Sequence, residues 1–174
     1  MAQLDGILDR VCIALGSNQG DRLMELQLAF AFLGALSVGG GVRRSHVFET
    51  APVNCPPGSE PFLNAVAEIK VDSTILNPHQ LLARLQDYER SRGRPDEREQ
   101  NAPRPIDLDI IHYGDWIVNE GGLIIPHPLA TQRLFVLEPL AQLRSNFILP
   151  GETLTVRELL EALRQFPPGD TQRL

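Results

Sequence analysis

The chain has 174 residues, 43% of them apolar, and a formal charge of −6. That length suits one domain with a sizeable core, and the apolar share excludes a disordered segment. With no basic run outside one arginine-rich loop, nucleic acid is excluded as the main partner, because such binding rests on neutralising phosphates.

Residues 1–10 read as an N-terminal extension, without the basic start and apolar centre of a signal peptide. Residues 26–38 are apolar but shorter than the roughly 20 residues of a membrane span, so no membrane association is expected. Cys12 and Cys55 form no metal pattern and require no disulfide, which points to the cytoplasm. The whole chain, residues 1–174, is expected to be a single monomeric domain, with residues 145–174 forming a C-terminal helix and tail.

Residues 11–15 are a short apolar run, read as a buried strand. The turn Gly16-Ser-Asn-Gln-Gly-Asp21 follows, and Asp21 can cap a helix over residues 22–36 that is apolar on more than one side and so expected to be well buried. The glycines could cradle phosphate, but no Lys-Ser/Thr follows, and a structural turn is the better reading. A second strand is predicted over 42–49, a proline-rich loop over 50–61 and a third strand over 62–71. Asn64 sits among apolar neighbours there, as a satisfied turn-edge amide or a ligand-binding one.

Asn77-Pro-His-Gln80 predicts a helix start with a capping box. Leu81, Leu82, Leu85 and Tyr88 are expected on one face, with Gln86 and Glu89 on the other, toward an arginine loop, and Gly93 at the end. After a strand over 106–111, residues 116–118 read as a short strand. His127 lies between two prolines, either as a structural hydrogen-bonder or as a phosphate or acid–base group. Residues 130–143 read as a helix weakened at Pro139, with Arg133 and Phe135 near its start and Phe135 by default in the core. Thr155 and Glu158 form a capping box before a final amphipathic helix. The order β, α, β, β, α, β is that of a ferredoxin-like α+β fold, with an extra hairpin and C-terminal helices added.

The strand over 106–111 carries the chemistry. Alternation places Asp107 and Asp109 on one face and Ile106, Leu108 and Ile110 on the other. Two acids side by side on an apolar strand repel each other and resist desolvation, and a bound cation resolves both problems. Arg90, Arg92, Arg94, Arg98 and Arg104 lie just upstream, five of the chain's sixteen Lys+Arg. The guanidinium fork suits phosphate, so the combination suggests a polyphosphate carried with magnesium. Taken alone, the loop reads better as a solvated run whose arginines pair with Asp96, Glu97 and Glu99, because charge runs usually face solvent.

These residues, in this order, resemble the 6-hydroxymethyl-7,8-dihydropterin pyrophosphokinases of folate biosynthesis. The resemblance runs from residue 11 to about 143. It is carried by Ala14-Leu-Gly-Ser-Asn18, Thr50-Ala-Pro-Val53, Phe62-Leu-Asn-Ala65, Gly93-Arg94, Pro103-Arg-Pro-Ile-Asp-Leu-Asp-Ile110 and Ile125-Pro-His-Pro128 with Arg133 and Phe135.

The resemblance implies transfer of the β,γ-pyrophosphoryl group of ATP to the pterin's hydroxymethyl oxygen, leaving AMP. Asp107 and Asp109 would hold two Mg2+ ions. Arg94 and Arg104 would clamp the transferring phosphates, with Gln86, Glu89, Arg98, Ile110, His127 and Arg133 around the nucleotide. Phe62 and Phe135 would stack on the pterin, read by Asn64 and the segment holding Thr50, Ala51 and Val53. Residues 39–47 and 92–102 would be the closing loops. The chain departs from the pattern at Asn101-Ala102, where the family often has Trp-Gly, at Asp96 and at Gly122, where it often has basic residues. Alternatives are a non-catalytic nucleotide-binding module and an ordinary kinase, which would leave ADP. Alanine at Asp107 or Asp109 is expected to abolish turnover and leave the fold intact.

Overall fold

The computed structural model describes residues 8–52, 56–94 and 102–166. Its centre is β1 (Leu8–Ser17), whose apolar run lets it be covered on both faces. It pairs antiparallel with β4 (Phe62–Asp72) on one side and β5 (Asp107–Tyr113) on the other. β2 (Arg43–Arg44) and β3 (Phe48–Thr50) pair with the outer edge of β4, giving the order β2-β4-β1-β5 with β3 beside β4. β6 (Val118–Glu120) and β7 (Leu123–Ile125) form a separate hairpin.

Helices cover both faces. α1 (Arg22–Leu36) starts where Asp21 accepts a hydrogen bond from the Met24 amide, and α2 (Pro78–Ser91) starts at the predicted Asn77–Gln80 capping box. Leu26 and Leu33 of α1 and Leu81 and Leu85 of α2 pack on Val11, Ile13, Leu15, Ile69, Leu108 and Ile110. On the other face α3 (Leu134–Arg144) and α4 (Val156–Gln165) bring Leu137, Leu140, Val156 and Leu160 onto Cys12, Val66 and Ile111. The α4 capping box at Thr155 and Glu158 is formed as predicted. Among the described residues no helix is long and apolar enough to cross a membrane.

A register shift between β1 and β5 sets which side chains share a face. Cys12 pairs with His112 and Ile13 with Ile110, leaving Ile111 as the extra residue of a bulge. Ile111 and His112 therefore both face α3 and its following loop, and His112 packs against Phe147 with ring centroids 4.5 Å apart. Upstream of the bulge Asp107 and Asp109 share that face, while Leu108 and Ile110 point into the opposite core.

Four expectations change. The strand over 42–49 is two short pieces, because at Ser45 the side-chain hydroxyl accepts from the Val66 amide of β4 in place of the backbone carbonyl. Pairing with β4 resumes at Phe48 one residue out of register. The strand expected at 116–118 is displaced to β6, since the Trp116 amide closes a turn on the Tyr113 carbonyl. The helix over 130–143 opens as a 3-10 turn, Ala130–Gln132, breaks at extended Arg133 and resumes as α3 with Pro139 inside it. Finally, α1 is less buried than expected: its outer side leaves Leu23, Met24 and Leu28 exposed.

Candidate active site

One row across three strands forms the floor of the site. Gly16 of β1 lies opposite Asn64 of β4 and Asp107 of β5, and Ala14 lies opposite Asp109. A Cβ at Gly16 would stand 3.2 Å from Asn64 Oδ1, 3.6 Å from the Phe62 ring and 4.0 Å from Asp107 Cβ. Glycine there leaves open floor between the amide and the carboxylates. Sequence reading took Gly16 as a turn residue, because its neighbours are set by pairing across more than forty residues.

The two carboxylates have unlike environments. Arg104 donates to Asp107 Oδ2 at 2.6 Å, and Arg94 pairs with Oδ1 at 2.5 Å. Burial pushes the Asp107 carboxyl up, but the two arginine charges outweigh it and hold it below the usual range. Asp109 has no ion pair among the described residues. Burial, and then the charge of Asp107, push it up to about 6. A desolvated acid beside an ionised one is short of positive charge.

Glu89 supplies the third acid, from α2. It is 6% exposed, on the same side as Leu81 and Leu85, so its expected placement opposite those leucines is corrected. Residues four apart share a helix face, and the spacing 81, 85, 89 carried that signal. Its Oε1 accepts from the Leu108 amide at 2.6 Å and pairs with Arg94, and burial pushes it up to about 7. Gln86 is on the exposed side of α2. Arg94 follows Gly93, whose φ of 92° turns the chain out of the helix, and its amide bonds the Glu89 carbonyl.

The opposite wall follows a cis Ile125–Pro126 bond. The His127 amide donates to the Ile111 carbonyl at 2.9 Å, fastening this loop to β5, and its Nδ1 accepts from the Leu129 amide at 3.1 Å. Burial, then the charge of Arg133, push the His127 pKa down, so its imidazole is neutral. Arg133 lies over the Phe135 ring at 5.5 Å and contributes positive potential at Asp109. Phe135 is half-buried at the α3 start, against the core beneath that helix. Ile110, in contrast, turns its side chain into the opposite core, so only its backbone could serve a nucleotide.

Asn64 donates to Thr50 Oγ1 at 2.7 Å, fixing its amide beside Gly16. Phe62 pairs with Thr50 in the ladder and carries the Arg104 guanidinium over its ring at 5.3 Å. Ala51 follows directly after β3 and is exposed. Val53 and Arg98 lie outside the described residues, as do Asp96 and Asn101. Two residues that sequence reading missed hold the loop before Phe62: Asn18 bonds the Glu60 carbonyl and Arg22 the Pro61 carbonyl.

No group of three or more acidic, histidine or cysteine ligands occurs among the described residues, so a closed protein cage is absent there. Magnesium does not need one, since it keeps its waters and takes one or two carboxylates plus substrate phosphates. The neighbouring Asp107 and Asp109, one of them short of countercharge, fit that donor set.

Comparison with known proteins identifies the family. Residues 12–145 match the family model for 7,8-dihydro-6-hydroxymethylpterin-pyrophosphokinase (HPPK). The 2-amino-4-hydroxy-6-hydroxymethyldihydropteridine pyrophosphokinase of Methylorubrum extorquens is 34% identical over 167 residues, covering 96% of this chain and 99% of that protein. The mitochondrial folate synthesis bifunctional protein of Arabidopsis thaliana is 42% identical over 141 residues, or 79% of this chain, and the chain spans only 24% of it. Plasmodium falciparum HPPK-DHPS, solved as wild type with SDX-DHP, superposes with a TM-score of 0.72 at 13% identity, covering 94% of this chain and 47% of that one. At that identity the likeness speaks for the mixed helix and antiparallel-sheet fold alone. The family match over most of the chain, supported by a relative of nearly equal length, settles the affiliation: the chain belongs to the 7,8-dihydro-6-hydroxymethylpterin-pyrophosphokinase family.

Proposed function

We propose that this chain transfers the β,γ-pyrophosphoryl group of ATP to the hydroxymethyl oxygen of 6-hydroxymethyl-7,8-dihydropterin, giving AMP and the pterin diphosphate for folate biosynthesis. The observation that carries the reading is the row Asn64–Gly16–Asp107. It leaves a side-chain-free floor at Gly16, bounded by an amide and Phe62, directly beside two arginines and two carboxylates.

The substrate oxygen attacks the β-phosphorus, and the bond from that phosphorus to the α,β-bridging oxygen breaks, so that AMP leaves with that oxygen. The hydroxyl proton is released to solvent. Such transfer is mostly positioning and charge stabilisation. Arg94 and Arg104 would move from Asp107 to the phosphate oxygens, where guanidinium forks bind in pairs. Asp107 and Asp109 would hold Mg2+, which would neutralise phosphate charge; two ions are proposed. Asn64 would read the pterin edge and Phe62 and Phe135 its faces, while His127 and Arg133 would line the nucleotide. The loops over 39–47 and 92–102 would close to exclude water; of the second, residues 95–101 lie outside the described residues.

The strand order supports a ferredoxin-like core: counting β2 and β3 as one strand gives βαββαβ with the outer order 2-3-1-4. We further propose that one copy is sufficient, since every assigned group comes from this chain. A cytoplasmic setting goes with this reading, supported by Cys12, which is buried and unpaired. An assay of AMP release that requires the dihydropterin tests the reaction. AMP formed only with pterin present supports it, and ADP formation replaces it with a simple kinase.

A further inference from the structure

We propose that Asn18 is a positioning residue that couples the nucleotide half of the site to the pterin half. The inference rests on the pyrophosphokinase reading and concerns how the two substrates sense one another.

Asn18 directly follows β1 and is 2% exposed. Its backbone amide donates to the Arg104 carbonyl at 3.2 Å, and its Oδ1 accepts from the Arg104 amide at 2.9 Å. Both backbone polar groups of Arg104, its N–H and its C=O, are thus bonded by one residue. Its Nδ2 donates to the Glu60 carbonyl at 3.4 Å. The partners are backbone groups of fixed role, so the amide has one satisfying orientation, with oxygen toward Arg104 and nitrogen toward Glu60.

Each partner leads to one substrate. Arg104 reaches Asp107 Oδ2, the phosphate and metal side. Glu60 lies two residues before Phe62, and the intervening Pro61 carbonyl is held by Arg22, which also pairs with Glu49 of β3, next to Thr50. A pterin ordering Phe62 and its loop therefore strengthens the Glu60–Asn18 bond and, through the same amide, the placement of Arg104. By reciprocity the nucleotide favours pterin binding by the same factor. This requires no atom of Asn18 to touch either substrate.

The test is calorimetric. Binding of 6-hydroxymethyl-7,8-dihydropterin is measured alone and with saturating magnesium and α,β-methylene ATP, whose scissile bond is blocked. The wild type is expected to bind pterin at least about fivefold tighter with nucleotide bound, at the low end of ordinary coupling. In Asn18→Ala and in Asn18→Asp, which keeps the acceptor toward Arg104 and loses the donor toward Glu60, that ratio is expected to fall to within about twofold of one. A merely structural role would weaken both affinities and leave the ratio intact. An intact ratio in either folded variant, or a wild-type ratio of one, overturns the proposal. Should the variants not fold, hydrogen exchange of the Arg104 amide in the wild type decides: pterin alone is expected to slow it, and an unchanged rate overturns the coupling. A wild type that binds neither substrate removes the pyrophosphokinase reading, and this proposal with it.

Discussion

Arg104 donates to Asp107 at 2.6 Å across three residues of chain, while the same guanidinium covers the Phe62 ring at 5.3 Å. One side chain thus spans the acid that would hold magnesium and the aromatic that would hold pterin. Replacing Arg104 by alanine is expected to lower turnover by about a hundredfold or more, the scale of losing one preorganised charge donor. Loss of the cation–π contact is expected to raise the pterin KM only a few-fold. Steady-state kinetics with varied pterin separates the two, and an unchanged turnover number with a large rise in KM would contradict the assignment.

The two aspartates should differ when neutralised. Asp107→Ala leaves Arg94 and Arg104 facing each other half-buried, so a stability loss of about 3 kcal/mol is expected, the lower end for breaking a buried pair. Asp109→Asn removes a carboxyl that burial and Asp107 already disfavour, so it should unfold no more easily than wild type at pH 7.5. Both should lose about a thousandfold or more in turnover, the order expected for a catalytic metal ligand. Urea titration beside the activity assay checks the contrast, which the sequence alone did not foresee.

Glu89 is expected to be indispensable as an acceptor and dispensable as a charge. Glu89→Ala strands the buried Leu108 amide, at a cost of about 1–3 kcal/mol. Glu89→Gln keeps an oxygen there and should stay within about 1 kcal/mol of wild type. Equal losses in the two variants, measured by urea denaturation, would show that the bond to Leu108 contributes little.

His112 should make the fold acid-sensitive. It is fully buried, and burial pushes its pKa down to about 4 from an ordinary 6.5. Between those values the unfolded chain binds more protons, so stability falls as pH drops from about 6.5 to 4, by on the order of 3 kcal/mol. Above pH 6.5 this penalty is absent. His112→Phe should flatten the pH dependence of Tm across that window. A variant as acid-sensitive as wild type would assign the effect to other groups.

The sequence showed what rests on local periodicity. Alternation put Asp107 and Asp109 on one face and Ile106, Leu108 and Ile110 on the other, as found. The capping residues Asn77 and Thr155 fixed two helix starts, since each motif closes within four residues. Features made by distant pairing stayed hidden. Gly16 gains its meaning from Asn64 and Asp107, and Asn18 from Arg104 and Glu60. The bulge at Ile111 resets the alternation before His112, and no local pattern marks it. Glu89 is the exception, because its spacing from Leu81 and Leu85 was readable and a glutamate on an apolar face was not expected.

Phosphorus NMR of the completed reaction with ATP, magnesium and 6-hydroxymethyl-7,8-dihydropterin tests the central claim most directly. Transfer of a pyrophosphoryl group predicts a new pair of mutually coupled diphosphate signals that remain with the pterin on purification, together with one equivalent of AMP. A single uncoupled pterin monophosphate signal with ADP, or AMP and free pyrophosphate with unmodified pterin, would contradict it.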